Sequence, residues 1–134
     1  MPPKAYILLA EDDNEDQDLL KEELLQLDPS VSVESVWNGQ EALDFLNACS
    51  AGSLPCLLLL DYKMPMLNAS EVLERLKGDP RYASMPKLVW STSNQPEYID
   101  ICRERGAADY LVKPNSHSEL SKLARRVLSF CAHG

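Results

Sequence analysis

Short apolar runs alternate along the chain with stretches in which apolar residues return at helical spacing. That alternation predicts βαβ units on a parallel sheet. Runs near 5–10, 31–36, 56–61, 87–91 and 109–112 read as five strands. The first and third, centred on Ile7-Leu-Leu-Ala10 and Leu57-Leu-Leu-Leu60, lack polar alternation, as expected of central strands covered on both faces. Leu20, Leu24 and Leu27 repeat at i, i+4, i+7, while Leu120, Leu123, Ala124, Val127, Leu128 and Cys131 make a longer stripe; these predict the first and last helices. Asn38 with Glu41, Asn68 with Glu71 and Ser116 with Glu119 have capping-box spacing and set helix starts after strands two, three and five. A fourth helix, near 96–105, offers only the poor stripe Ile99, Ile101 and Cys102 and stops at Gly106. Right-handed crossovers leave a three-layer α/β sandwich as the natural architecture. The 134 residues are expected to form one domain, 1–134, with a core over about 5–130.

Each strand that ends in a polar residue brings chemistry to one edge. Glu11 and Asp12 follow the first run, Asp61 the third, Ser91 follows Leu88-Val-Trp90, and Lys113 follows Tyr110-Leu-Val112. In a parallel sheet those carboxyl ends lie together, where open α/β sheets bind ligands. Glu11, Asp12, Asp13 and Asp61 cannot all stay ionised side by side without a raised pKa or a counter-ion. Mg2+ fits best, because it is commonly held by one or two carboxylates with waters and phosphate oxygens. Asp13 reads instead as a cap of the first helix, and Asp12 as a metal ligand. Asp61 either caps the turn through Tyr62-Lys-Met-Pro65 or is a nucleophile of the kind that forms aspartyl phosphates. Lys113 is carried on a stiff turn before Pro114; within reach of Asp61 its ammonium would lower that acid's pKa and neutralise a phosphate oxygen. Trp37 and Trp90 have no assignable chemistry, and Trp90 reads as a packing residue.

Composition removes several alternatives. The apolar fraction of 45% and charged fraction of 25% are those of a compact globular protein. A net charge of −8 argues against attraction to nucleic acid or an anionic membrane. The compact basic group, Lys122, Arg125 and Arg126, reads as a solvated helix face. Cys49, Cys56, Cys102 and Cys131 show no CxxC spacing and no paired His ligands, which supports neither a zinc site nor a redox motif and leaves buried or half-buried thiols in a reducing cytosol as the expectation. Met1-Pro-Pro-Lys4 leads into no apolar stretch long enough for a signal peptide or a membrane span, so a cytoplasmic location is expected.

In order along the chain, Glu11-Asp12, Asp61 with Met64-Pro65, Ser91, and Tyr110 with Lys113-Pro114 resemble the receiver domain of bacterial response regulators, over about Tyr6 to Leu128. The resemblance implies a flavodoxin-like fold, with a five-stranded parallel sheet in the order 2-1-3-4-5 and five helices. It implies a stand-alone regulator of a two-component system or phosphorelay, a signalling switch and not an enzyme acting on an outside substrate. Asp61 would be the phosphoacceptor. Asp12, Glu11 through water, Asp61 and the Lys63 backbone carbonyl would hold Mg2+, and Lys113 would bind the phosphate. Ser91 matches the switch hydroxyl by its spacing of 15 residues to Gly106 and 22 to Lys113, with Thr92 the near competitor. Tyr110 matches the aromatic switch, and reads equally as a strand aromatic packed on the last helix.

The implied partners are a histidine kinase or phosphotransfer protein and a downstream protein on the helix 4, strand 5, helix 5 face, with room for a homodimer. Ser91-Thr-Ser93 and Lys113-Pro-Asn115 further resemble regulators encoded beside bacterial phytochrome kinases. Some positions depart from the family pattern. Ala69 stands where the family commonly has Gly, implying that the loop after Asp61 needs no positive φ. Lys63 and Ser93 occupy positions that tune phosphoryl lifetime, and the connection from Asn47 to Pro55 is longer than usual. Three other readings remain: a phosphorylation-independent interaction module on the same fold; a haloacid-dehalogenase-type phosphatase, which wants a second Asp where Lys63 stands; and an FMN carrier, whose phosphate Glu11-Asp-Asp13 would repel.

Overall fold

The computed structural model describes residues 5–131, and the Met1–Lys4 segment, read above as neither leader nor span, lies outside them. The strands are β1 (Tyr6–Ala10), β2 (Ser32–Val36), β3 (Leu57–Asp61), β4 (Lys87–Ser91) and β5 (Asp109–Val112). The helices are α1 (Asn14–Leu27), α2 (Gly39–Ala48), α3 (Ala69–Leu76), α4 (Pro96–Glu104) and α5 (His117–Phe130). Every pairing is parallel, in the order β2-β1-β3-β4-β5. Five helices cover this sheet, in the flavodoxin-like arrangement expected above.

The alternation of side chains along each strand builds two cores. Ile7, Leu9, Leu57, Leu59, Leu88 and Trp90 point to the face covered by α1 and α5, where they meet Leu20, Leu24, Leu123 and Val127. Leu8, Ala10, Leu58, Leu60 and Val89 point to the other face, against Leu46 of α2, Val72 and Leu73 of α3 and Cys102 of α4. Both faces of β1 and β3 are therefore buried, which is why those strands read as unbroken apolar runs. The register sets Asp61 beside Trp90 and Ser91 beside Val112. Lys113 continues that ladder, its backbone N–H donating to the Ser91 carbonyl at 2.7 Å.

Helix starts follow local side-chain chemistry. Asp13 caps α1 by accepting from the Asp16 N–H at 2.9 Å. Asn68 and Glu71 form a complete reciprocal box at α3. At α2 the box is opened by one residue: Asn38 accepts from the Glu41 N–H, but the Glu41 carboxylate takes the Trp37 N–H instead. Only Cys102 is buried on α4, consistent with its poor stripe, and its start carries Pro96 without a side-chain cap.

Two expectations are corrected. The loop after Asp61 does use a positive φ, at Met66 (73°), three residues before Ala69; Ala69 itself is already the first residue of α3. The strain has moved along the loop, so the absence of Gly at 69 says nothing of the turn before it. Cys56 and Cys131 are paired as a disulfide, their Cα atoms 5.1 Å apart across 75 positions, while Cys49 and Cys102 stay free. No local spacing signals that pair, because the fold alone brings the foot of β3 to the end of α5.

Gly39 opens α2 against the β3–α3 loop. A Cβ built there would lie 2.5 Å from the Leu67 carbonyl oxygen and 2.8 Å from Val72 Cγ2. Backbone cannot yield as a flexible side chain can. Gly39→Ala should therefore lower stability by about 1–3 kcal/mol, as overpacking does, despite alanine's better helix propensity. A urea midpoint equal to or above that of the parent would show that the two loops separate freely.

Candidate functional site

Glu11 follows β1 directly and is held by its backbone: its N–H donates to the Val36 carbonyl at 3.1 Å, and its carbonyl accepts from Gln17 Nε2 at 2.7 Å. Its side chain, fully buried, accepts from the Asp13 N–H at 3.0 Å. Asp61 closes β3 and is also buried, whereas the Asp12 side chain is exposed. Glu11, Asp12 and Asp61 each offer one oxygen, and the three lie within 4.8 Å of one another. Lys63, two residues past Asp61, has an exposed side chain.

Lys113 stands over this group. Its Nζ lies 2.8 Å from Glu11 Oε1, 2.8 Å from Asp16 Oδ2 and 3.5 Å from Asp61 Oδ2. The same ammonium sits 4.7 Å from the centroid of the Trp90 ring, a favourable cation–π position. Burial pushes the Glu11 carboxyl up to about 8, against the Lys113 hydrogen bond, and burial likewise raises Asp61, against Glu11 and Lys113. Burial would depress the Lys113 ammonium, but its bonds to Asp16 and Glu11 and the charge of Asp61 hold it above its ordinary value. One ammonium thus faces several acids, and the remaining negative charge suits a proton or a cation. The donors are hard oxygens converging on one point, which fits Mg2+ or Mn2+.

Ser91 ends β4 buried, and Thr92 beside it is exposed. Ser91 Oγ accepts from the Ser93 N–H at 3.1 Å, and the Tyr110 hydroxyl donates to the Ser93 carbonyl at 2.7 Å. Burial pushes the Tyr110 phenol up, and the neighbouring Ser91 hydroxyl works against it. Ser91, Ser93 and Tyr110 are therefore one network. Tyr110 packs in the core shared with Tyr62, Tyr98 and Cys102, on the α3 and α4 side of the sheet. The packing on the last helix considered above falls instead to Leu111, its neighbour on the opposite face.

The response regulator receiver domain model matches residues 7–125. The chain belongs to this family. The receiver is 37% identical over 98 residues to the two-component response regulator ORR11 of Oryza sativa subsp. indica, a match covering 72% of this chain and 63% of that protein. The chain thus spans less than two thirds of that relative's length. Among solved structures it is similar to the Mn2+-bound form of response regulator Rcp1, with a TM-score of 0.81 and 29% identity over 96% of this chain and 94% of that one. It is also similar to the phosphorylated cyanobacterial phytochrome response regulator RcpA, with a TM-score of 0.85 and the same identity and coverage. Receivers are signalling domains of two-component systems that bind Mg2+ or Mn2+ at an acidic pocket. Among the described residues, no helix is long and apolar enough to cross a membrane.

The structure brings Glu11, Asp12, Asp61 and Lys113 together and ends β4 with Ser91 at the same edge, whereas Tyr110 lies inside β5 and is linked to Ser91 through Ser93; two contributors were missed. Gln17 is buried and also donates to the Val36 carbonyl at 3.2 Å, so it fastens α1 to the ends of β1 and β2. Its signal was present: a polar residue three positions before Leu20, on the apolar stripe. Asp16 gave no such signal, since its partner Lys113 is 97 positions away. Lys122, Arg125 and Arg126 are exposed as expected, with Arg126 bonded to Asp109 at 2.9 Å.

Tyr110→Phe keeps the packing and removes one hydrogen bond, at a cost of about 0.5–1.5 kcal/mol. Hydrogen exchange should accelerate across residues 92–95 while the strands stay protected. Unchanged exchange there would mean that the Tyr110 hydroxyl does not hold the β4–α4 loop.

Proposed function

We propose that this receiver accepts a phosphoryl group on Asp61 and uses it to reset the Ser91–Ser93–Tyr110 network. The observation that carries this reading is the Asp61 carboxylate at the carboxyl end of β3, within 3.5 Å of Lys113 Nζ and clustered with the oxygens of Glu11 and Asp12. A nucleophile buried among acids needs neighbours that neutralise incoming phosphate, and Lys113 is placed for that task.

A phosphohistidine on a histidine kinase or phosphotransfer protein is the donor. The phosphorus–nitrogen bond breaks as an Asp61 oxygen bonds to phosphorus, and the imidazole leaves with a proton. Asp12, Asp61, the Lys63 carbonyl and Glu11 through water would hold Mg2+, which when bound would supply charge neutralisation. Lys113 pairs with a phosphoryl oxygen, and Ser91 turns its hydroxyl toward the new group. Ser91 is favoured over Thr92 because it is the buried one and already belongs to the network that reaches Tyr110. Water later attacks phosphorus, releasing inorganic phosphate and restoring the carboxylate. The chain is thus a switch that catalyses its own phosphorylation and dephosphorylation.

The output face is α4, β5 and α5. Ser91 and Tyr110 lie at its origin, and Val112 is exposed on it; this is also the face for a homodimer. The likeness to the phytochrome regulator RcpA supports a phytochrome-type kinase as the phosphoryl source. A phosphorylation-independent module would have no use for the acid-rich group gathered around Asp61 and Lys113.

Incubation with acetyl phosphate should add one phosphoryl group by intact mass, only with Mg2+ present and not in Asp61→Asn. An adduct persisting in that variant would remove Asp61 from its role. Ser91→Ala should still take the adduct but lose the amide NMR shift at Tyr110, whereas Thr92→Ala should keep both; the reverse pattern would make Thr92 the switch hydroxyl.

A further inference from the structure

The three carboxylates around the Lys113 ammonium are not equivalent. The two short contacts go to Glu11 and Asp16, at 2.8 Å each, and the longest, 3.5 Å, goes to Asp61. Asp16 stands apart from the others. It is not among the acids whose oxygens converge, and its side chain is 36% exposed where that of Glu11 is 0%. Its backbone N–H is what the α1 cap uses, so its carboxylate is not needed to start the helix.

We propose that Asp16 is a positioning residue of the switch: it seats the Lys113 ammonium away from Asp61, and a phosphoryl group on Asp61 must draw the ammonium out of that seat. The proposal rests on Asp61 being the phosphoacceptor. An ammonium has three protons, and two are already committed to short, charge-assisted bonds. A full pairing with a phosphoryl oxygen therefore competes with one of them. Glu11 offers an oxygen within 4.8 Å of one of Asp61 whereas Asp16 lies outside that cluster, so Asp16 is the contact that gives way. Asp16, Leu19, Trp90 and Lys113 line a cavity of about 350 Å³ that Asp61 and Glu11 do not share, so the Asp16 carboxylate that the ammonium leaves behind stays open to water. Asp16 thus offsets part of what phosphorylation gains and sets the threshold of the switch.

Trp90 reports the seat directly, with Nζ 4.7 Å from its ring centroid. In a Trp37→Phe background Trp90 is the remaining tryptophan, and its emission can be followed while beryllium trifluoride, a phosphoryl mimic, is titrated in Mg2+. Asp16→Asn should bind the mimic about fivefold more tightly, the equivalent of about 1 kcal/mol. Its emission without metal or mimic should already be shifted toward that of the loaded parent. Asp16→Glu should return both readings toward the parent. Parent-like affinity and emission in Asp16→Asn would overturn the proposal. A parent that ignores the mimic, or an Asp61→Asn variant that binds it equally well, would instead bring down the reading of Asp61 and the proposal with it.

Discussion

Glu11 and Asp61 are both buried at the carboxyl edge of the sheet, and a low-polarity environment accepts two such acids only with a proton, a cation or a fixed counter-charge. Lys113 is the counter-charge that the chain itself provides. The rest of the edge is arranged around its reach. The parallel ladder from β4 to β5 fixes where residue 113 emerges, Pro114 stiffens the backbone that carries it, and the Trp90 ring flanks its head group. Removing the ammonium would leave uncompensated carboxylates, the expensive outcome for any buried ion group. The same arrangement leaves a surplus of negative charge beside a cluster of hard oxygens, which a proton or a cation would offset.

The sheet separates this charge chemistry from the Tyr110 network. Lys113 and Trp90 look toward the α1 and α5 side, whereas Tyr110 packs with Tyr62 and Tyr98 on the α3 and α4 side. Ser91 is the hinge between them, at the end of the strand that contributes to both. Tyr62 and Tyr98 stack at 4.4 Å between centroids, and Arg105 Nη1 donates to the Ser70 carbonyl at 3.1 Å. These contacts fasten α4 to the loop and helix that follow Asp61. A change at Ser91 therefore has a short physical route to α4, through the Ser93 backbone and the Tyr110 hydroxyl. Tyr110 is already inward, so the network can be retuned without a large rotation of that ring.

Much of this was legible in the sequence because it is written in local patterns. Leu57 to Leu60 announce a strand buried on both faces, and Asn68 with Glu71 announces the start of α3, because each depends on neighbours within a few positions. The placement of Glu11, Asp61, Ser91 and Lys113 was legible for a related reason: a parallel sheet forces strand ends together whatever the loops do. What escaped depends on long-range geometry. The Asp16–Lys113 pair and the Cys56–Cys131 pair join residues 97 and 75 positions apart that carry no shared periodicity. Which side of the sheet Tyr110 faces follows from the pleat counted from β5's true register, and the positive φ at Met66 from a loop whose constraint is tertiary. Gln17 is the exception, since a polar residue on an apolar stripe was visible and its meaning was not drawn.

The energetics leave the switch finely balanced. Hydrogen bonds to charged groups contribute about 1.5–3 kcal/mol each, so new bonds from Ser91 and Lys113 to a phosphoryl group would supply roughly 3–6. Moving a two-state equilibrium from 1:99 to 99:1 takes about 5.5 kcal/mol. The gross gain reaches that figure only at its upper end, and part of it is not new, because Lys113 already stands 3.5 Å from Asp61 and is already bonded to Glu11 and Asp16. Only the difference between its present contacts and those made to a phosphoryl oxygen drives the transition. A receiver built this way would respond in a graded manner to charge changes around Lys113, and a partner seated on α4 would add the missing free energy by binding one arrangement better than the other.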